Sequence, residues 1–176
     1  MAEPLSAPLA SSPERPAALK RRRQMLNPWL MRGFFLAKLP LAFIAGLRLR
    51  ELDAERCVVT IPYGWRTTNP FRSTYFAALS MAAELSTGAL AGVAAESAPR
   101  SVAMLITGLT AGFEKKATAL TAFTCTEGRK LAEAVARTVE TGEPATAAVE
   151  TVGTSPDGTV VARFTFTWSF KARSGR

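Results

Sequence analysis

Between Arg72 and Glu96 the only charged side chain is Glu84. The stretch around it, TYFAALSMAAELSTGALAGVAAE (74–96), is rich in alanine and leucine and free of proline, which predicts a long helix. A helix that is apolar all round is buried. Glu84 is therefore expected to be at least partly desolvated, which raises a carboxyl pKa and makes the group a usable base or nucleophile. At helical spacing Ala77, Ser80, Met81, Glu84, Thr87, Gly88 and Ala91 share one small, partly polar face, opposite Phe76, Leu79, Leu85 and Leu90. Such a face suits a cleft wall; the plainer alternatives are an arginine partner for Glu84 or its simple exposure to solvent. Asn69 lies in the loop entering the helix. The Tyr75 and Phe76 amides fall in the first turn, where unpaired N–H groups and the positive dipole end are suited to holding an oxyanion. Locally, an Asn-Pro turn with Ser73 capping those amides accounts for the same residues.

Other chemistries are narrowed by composition. The chain of 176 residues contains no histidine, which excludes Ser-His-Asp and Cys-His nucleophiles and His-ligated zinc. Two cysteines, Cys57 and Cys125, cannot build a Cys-only zinc site and give no disulfide framework, so neither metal nor cofactor is expected and a reducing cytoplasm is implied. Cys125 lacks any histidine to activate it. Gly108 and Gly112 do not have the spacing of a phosphate loop. Lys115-Lys116 and Arg129-Lys130 could meet phosphates but are ordinary solvated pairs on their own.

The elements that must position these groups read as an α+β domain. Residues 46–53 and 56–61 form two strands, 63–73 a loop, and the helix runs from Ser73 as N-cap to the stop at Ala98-Pro99. Strands follow at 102–114, where Gly108 and Gly112 invite a bulge, and at 118–126. Residues 129–139 have helical spacing. Strands at 145–153 and 159–171 flank the turn Ser155-Pro156-Asp157-Gly158. The last strand is the clearest, with Val160, Ala162, Phe164, Phe166, Trp168 and Phe170 on one face. The sheet is expected to wrap the long helix.

The net charge of +8 gathers at the N-terminal end, where seven basic side chains lie within the first 38 residues, so nucleic-acid binding by the folded body is not expected. Residues 1–24, with the cluster Lys20-Arg21-Arg22-Arg23, are read as a disordered basic arm; 25–45 as a helical segment; and 46–173 as the folded domain. The apolar run within 25–47 is interrupted by Pro28, Arg32, Lys38 and Pro40, too often for a membrane span, and packing on the domain is preferred to membrane contact through residues 20–45.

The element order and the stretch TNPFRSTYFAALSMAAELSTG (68–88) resemble hotdog-fold acyl-CoA thioesterases, in particular an uncharacterised thioesterase-like subgroup. Asn69, Glu84 and Gly88 match the family's Asn, acidic and Gly positions; Tyr75 stands where many relatives have His, and Arg72 at a common Gly position. The resemblance implies an antiparallel sheet wrapped around the central helix, and hydrolysis of acyl-CoA or a similar thioester. In that reading Glu84 activates water or attacks the carbonyl, amides near Tyr75 and Phe76 polarise it, and Asn69 orients water or thioester. Ser73, Ser80, Thr87 and Gly88 then line the substrate. It also implies a homodimer or tetramer with sites between subunits. The alternative is a hotdog domain that binds acyl chains or thioesters without catalysis.

Overall fold

The computed structural model describes residues 15–173. Three short helices lead the chain: α1 (Pro16–Leu26), α2 (Pro28–Lys38) and α3 (Pro40–Ala45). Each begins at a proline, which is pre-organised for the first turn and forces the preceding residue out of helical geometry. Asn27 therefore ends α1 and caps α2, its Oδ1 accepting from the Trp29 and Leu30 amides at 3.0 and 3.2 Å. Two expectations change here. The segment 25–45 holds the end of α1 and then α2 and α3, broken at Asn27 and Leu39, and residues 16–24 of the expected disordered arm are helical; residues 1–14 lie outside the described residues. Contacts with the domain order α1: Ala18 is fully buried, the Arg15 guanidinium donates to the Ala98 carbonyl, and Arg21 pairs with Glu96 at 3.0 Å.

The hairpin β1 (Arg48–Leu52) and β2 (Cys57–Ile61) follows, its turn held by Asp53 Oδ1, which accepts from the Glu55 and Arg56 amides. After a loop comes α4 (Phe76–Ser97), about 33 Å long at 1.5 Å per residue. Its length and hydropathy would suffice to cross a membrane, but most of it is buried inside the fold. The remaining elements are β3 (Val102–Phe113), β4 (Thr121–Cys125), α5 (Gly128–Thr141), β5 (Ala145–Thr154) and β6 (Val160–Ala172).

All six strands join one antiparallel sheet in the order β1-β2-β4-β5-β6-β3, curled around α4. This is the architecture implied by the resemblance. The alternation read in β6 holds from Ala162 to Phe170, and Phe164 packs edge-on against Phe113 and Phe123, both at 5.6 Å between ring centres. β3 forms a sheet edge, and its pairing with β6 slips between Ile106 and Gly108. The slip matters because it reverses which side chains face inward. Met104 and Ile106 stand opposite Phe170 and Trp168; beyond the bulge Leu109 and Phe113 take over that face, opposite Phe166 and Ala162. α5 lies close because Gly128 approaches the β1–β2 turn, its amide donating to Glu55 O at 3.0 Å.

Candidate active site

α4 presents its partly open stripe through Ala77, Ser80, Met81, Glu84 and Gly88, while Leu79, Ala83, Leu90 and Ala91 face the core. The Glu84 carboxylate folds back over Gly88. A β-carbon at 88 would lie 2.9 Å from Glu84 Oε1 and 3.3 Å from the six-membered ring of Trp168. Glycine thus leaves the space the carboxylate fills, with the indole as its wall. That indole is fixed: Trp168 Nε1 donates to Thr87 Oγ1 at 3.1 Å, and Thr87 Oγ1 donates to the Glu84 carbonyl at 3.0 Å. No arginine or lysine pairs with Glu84 among the described residues. Burial against the indole pushes its carboxyl above the usual carboxylate range. Arg21 instead covers Gly92, farther along the stripe, where it holds Glu96.

A second assembly occupies the start of α4. Asn69, Ser73, Tyr75 and Phe76 line an open groove of about 590 Å³ together with Phe113 and Lys116. Asn69 Oδ1 accepts from the Phe71 amide at 3.0 Å, the Ser73 amide at 3.2 Å and Ser73 Oγ at 3.3 Å. Its carbonyl oxygen is thus spent on shaping the loop. The expected helix cap moves: Tyr75, not Ser73, is the N-cap, and its side chain makes no capping bond, because the Ser73 hydroxyl is already turned to Asn69. The Tyr75 amide is not free either, donating to Thr67 O at 2.7 Å. Phe76 and Ala77 are the first-turn amides left without an acceptor among the described residues. Arg72 adopts φ = 58°, the left-handed conformation that glycine takes at lowest cost. The loop keeps that turn without the glycine, its geometry held by Arg72 N–H to Asn69 O at 3.0 Å and the Tyr63 hydroxyl to Arg72 O at 3.2 Å.

The two assemblies do not touch within one chain. Eight residues separate Phe76 from Glu84, about 12 Å of helix rise, and the carboxylate leans toward Gly88, away from the groove. Ser80 sits between them with its hydroxyl donating to Phe76 O at 2.9 Å. Thr87 is fully buried and lies behind the stripe rather than on it. Sequence reasoning missed Trp168 as the wall beside Glu84 and Phe113 as a groove residue; the alternation of β6 marked Trp168 only as core. Cys57 and Cys125 face each other across β2 and β4 as buried free thiols, and burial pushes the Cys125 thiol up to about 11, which removes it as a nucleophile.

Residues 27–170 match the model of a family described as a domain of unknown function, DUF4442. The chain belongs to the DUF4442 family. Among solved structures, this DUF4442 chain is similar to PA5026 of Pseudomonas aeruginosa, described as a probable thioesterase. The two are 21% identical with a TM-score of 0.69, covering 82% of this chain and 95% of that one. Thioesterase HI1161 of Haemophilus influenzae is 10% identical, with a TM-score of 0.57 and 78% and 86% of the two chains covered. The PaaI protein from the phenylacetic acid degradation operon of E. coli is 14% identical, with a TM-score of 0.57 and 88% and 96% covered. The shared architecture is the hotdog fold. No curated protein matches the chain.

Proposed function

We propose that this DUF4442 chain hydrolyses acyl thioesters, acyl-CoA among them, with Glu84 as the base. The observation that carries the reading is the Glu84 carboxylate itself: desolvated, without a cationic partner among the described residues, and given room by Gly88 on the open stripe of a hotdog central helix. In its ionised form Glu84 takes a proton from water as that oxygen attacks the thioester carbonyl carbon. The oxyanion is held by an amide of the first turn of α4, that of Phe76. When the C–S bond breaks, protonated Glu84 returns the proton to the departing thiolate, and an acid and a thiol leave. The raised pKa suits both halves of that cycle. Asn69 contributes by shaping the loop, and Lys115 and Lys116, at the groove, are placed for the phosphates of a coenzyme A moiety.

The 12 Å between amide and carboxylate supports an assembled site, in which the helix start of one copy faces Glu84 of another. The open β3 edge, with Leu109 and Phe113 half exposed on the helix side of the sheet, supports a homodimer joined there. The buried free thiols support a reducing, cytoplasmic setting. One observation favours a binding domain without turnover: the Tyr75 amide is already bonded to Thr67, which leaves fewer donors for an oxyanion. Steady-state hydrolysis of a panel of acyl-CoAs by the native chain and by Glu84→Gln separates the two. Hydrolysis that collapses in Glu84→Gln supports catalysis by this carboxylate; equal hydrolysis by both rejects it. Tight acyl-CoA binding with no turnover by the native chain selects the binding domain.

A further inference from the structure

From residue 15 to residue 50 the chain carries nine basic side chains and no acidic one. The same segment holds a run of large exposed apolar residues. In α2, Met31 and Phe35 face the domain, so the outward direction is taken by Trp29, Gly33, Leu36 and Ala37. Trp29 is 81% and Leu36 61% exposed, and α3 continues the surface with Leu41, 68% exposed, and Ile44. A helix with apolar residues on both its packed and its outward face has an unfilled partner on the outer side. The Arg32 guanidinium lies 4.9 Å over the Phe43 ring and ties α2 to α3.

Charge surrounds this surface with one sign. Arg32 flanks the outward stripe of α2, and the exposed Lys38 ends the helix. Between α1 and α2 opens a cavity of about 460 Å³ with Lys20 and Arg23 beside Leu19 and Leu30. Lys20, Arg23 and Lys38 have no carboxylate partner among the described residues. A second copy meeting this face across a two-fold axis would bring like charges together. The helices also lie against β1, the sheet edge opposite β3. Phosphates of nucleic acid would satisfy the charges but leave tryptophan and leucine facing water. Aromatic and aliphatic side chains rimmed by lysine and arginine fit the boundary of a bilayer whose headgroups are anionic.

We infer that α1–α3 form a docking surface for an anionic lipid bilayer, with Trp29, Leu36, Leu41 and Ile44 entering the headgroup–acyl boundary and Lys20, Arg23 and Lys38 meeting phosphates. The inference does not depend on the chemistry of Glu84. It is tested by co-sedimentation of the full chain with vesicles of phosphatidylcholine alone and with vesicles enriched in phosphatidylglycerol, at low and ~0.5 M salt. The native chain is expected to bind the phosphatidylglycerol vesicles at low salt, with a blue shift of tryptophan emission that Trp29→Phe largely removes. The triple variant Trp29→Ser, Leu36→Ser, Leu41→Ser alters exposed positions only, keeps the native melting temperature, and loses vesicle binding. Lys20→Gln, Arg23→Gln, Lys38→Gln lowers the partition coefficient on the order of 100-fold. The inference is overturned if the native chain ignores phosphatidylglycerol, or if the serine triple binds as well as the native chain. It also falls if the native chain without vesicles is a higher oligomer that the serine triple dissolves, which would place a second copy on the face. Retention on a DNA duplex in place of vesicles, equal for native and serine triple, overturns it too.

Discussion

A methyl group at position 88 puts the proposed carboxylate chemistry under direct strain. In Gly88→Ala the new carbon meets Glu84 Oε1 at 2.9 Å and two ring carbons of Trp168 at 3.3 Å. The indole cannot yield, since it is buried and its Nε1–H is held by Thr87. Glu84 must yield, and it can, because the contact is with the far end of a flexible side chain. Ordinary contact begins at 3.4 Å, so Oε1 must move by about half an ångström or more. The helix gains about 1 kcal/mol from alanine over glycine, and crowding at the indole takes back a similar amount. Net stability therefore stays within about 1 kcal/mol of native, a shift of roughly 2–4 °C in melting temperature. The reacting geometry has no such compensation: misplacement of about 1 Å at a catalytic group can cost roughly 100-fold. Thiol release from an acyl-CoA measures kcat/KM, and circular dichroism follows unfolding. The expected result is a fall of about 10- to 100-fold in kcat/KM at nearly native stability. Unchanged kcat/KM in Gly88→Ala beside an inactive Glu84→Gln would refute the claim that the carboxylate works from its place over Gly88. A large loss of stability would instead mean that glycine is there for the indole.

Glu84→Gln should also change the pH dependence of stability. The native group binds its proton more tightly folded than unfolded, so its contribution is fullest below the ordinary carboxylate range and is lost as pH rises through the raised folded pKa. The glutamine variant is therefore expected to melt higher than native at neutral pH, and a gap of the same size at pH 4 would contradict this origin. Gly128→Ala places a carbon 2.0 Å from Ala54 O and 2.8 Å from Glu55 Cα, both backbone, so urea denaturation should show a loss of about 2 kcal/mol or more; a neutral change would mean the contact relaxes freely. Leu109→Lys, at a residue 51% exposed, should shift the mass measured by light scattering from dimer to monomer while changing monomer stability by less than about 1 kcal/mol, and an unaltered dimer would move the interface away from β3. Cys57 and Cys125 should stay unlabelled by a thiol reagent at pH 8 in the native chain and react fully in urea; rapid native labelling would mean their strands open.

The fold was legible where sequence periodicity and burial agree. β6 alternates because one face meets α4 and the other does not, and α4 is long and apolar because the sheet wraps it. The isolation of Glu84 was equally visible, since a lone charge in an apolar helix has few places to go. What escaped the sequence depends on contacts distant along the chain. α1 has the composition of a solvated tail, and contacts distant in sequence, among them buried Ala18, the Arg15 bond to Ala98 and the Arg21–Glu96 pair, make it a packed helix. Capping at Ser73 was a local argument, overruled when Asn69 drew the hydroxyl into its own turn. The use of Trp168 as the wall beside Glu84 joins positions 84, 87, 88 and 168, and no local pattern couples them.

A chain without histidine has few ways to move a proton twice near neutral pH, and one is to hold a carboxyl group where water is scarce. Desolvation does that at Glu84, with Trp168 as the dry wall and Gly88 as the space. On the proposed reading this solution has a geometric consequence. A carboxylate on the middle turns of α4 is far from the amides at its start, and no rotation of one side chain closes 12 Å. Either the oxyanion donor and the base come from two copies, or they serve different steps on different substrates. The bulge in β3 favours the first: by turning Leu109 and Phe113 to the helix side, it leaves an apolar sheet edge open beside the groove that begins α4. A point of separation follows. If the site is shared, a mixture of Glu84→Gln chains with chains altered at the groove should regain part of the native activity, because one of the two sites in a mixed dimer is intact. If each chain works alone, mixing restores nothing.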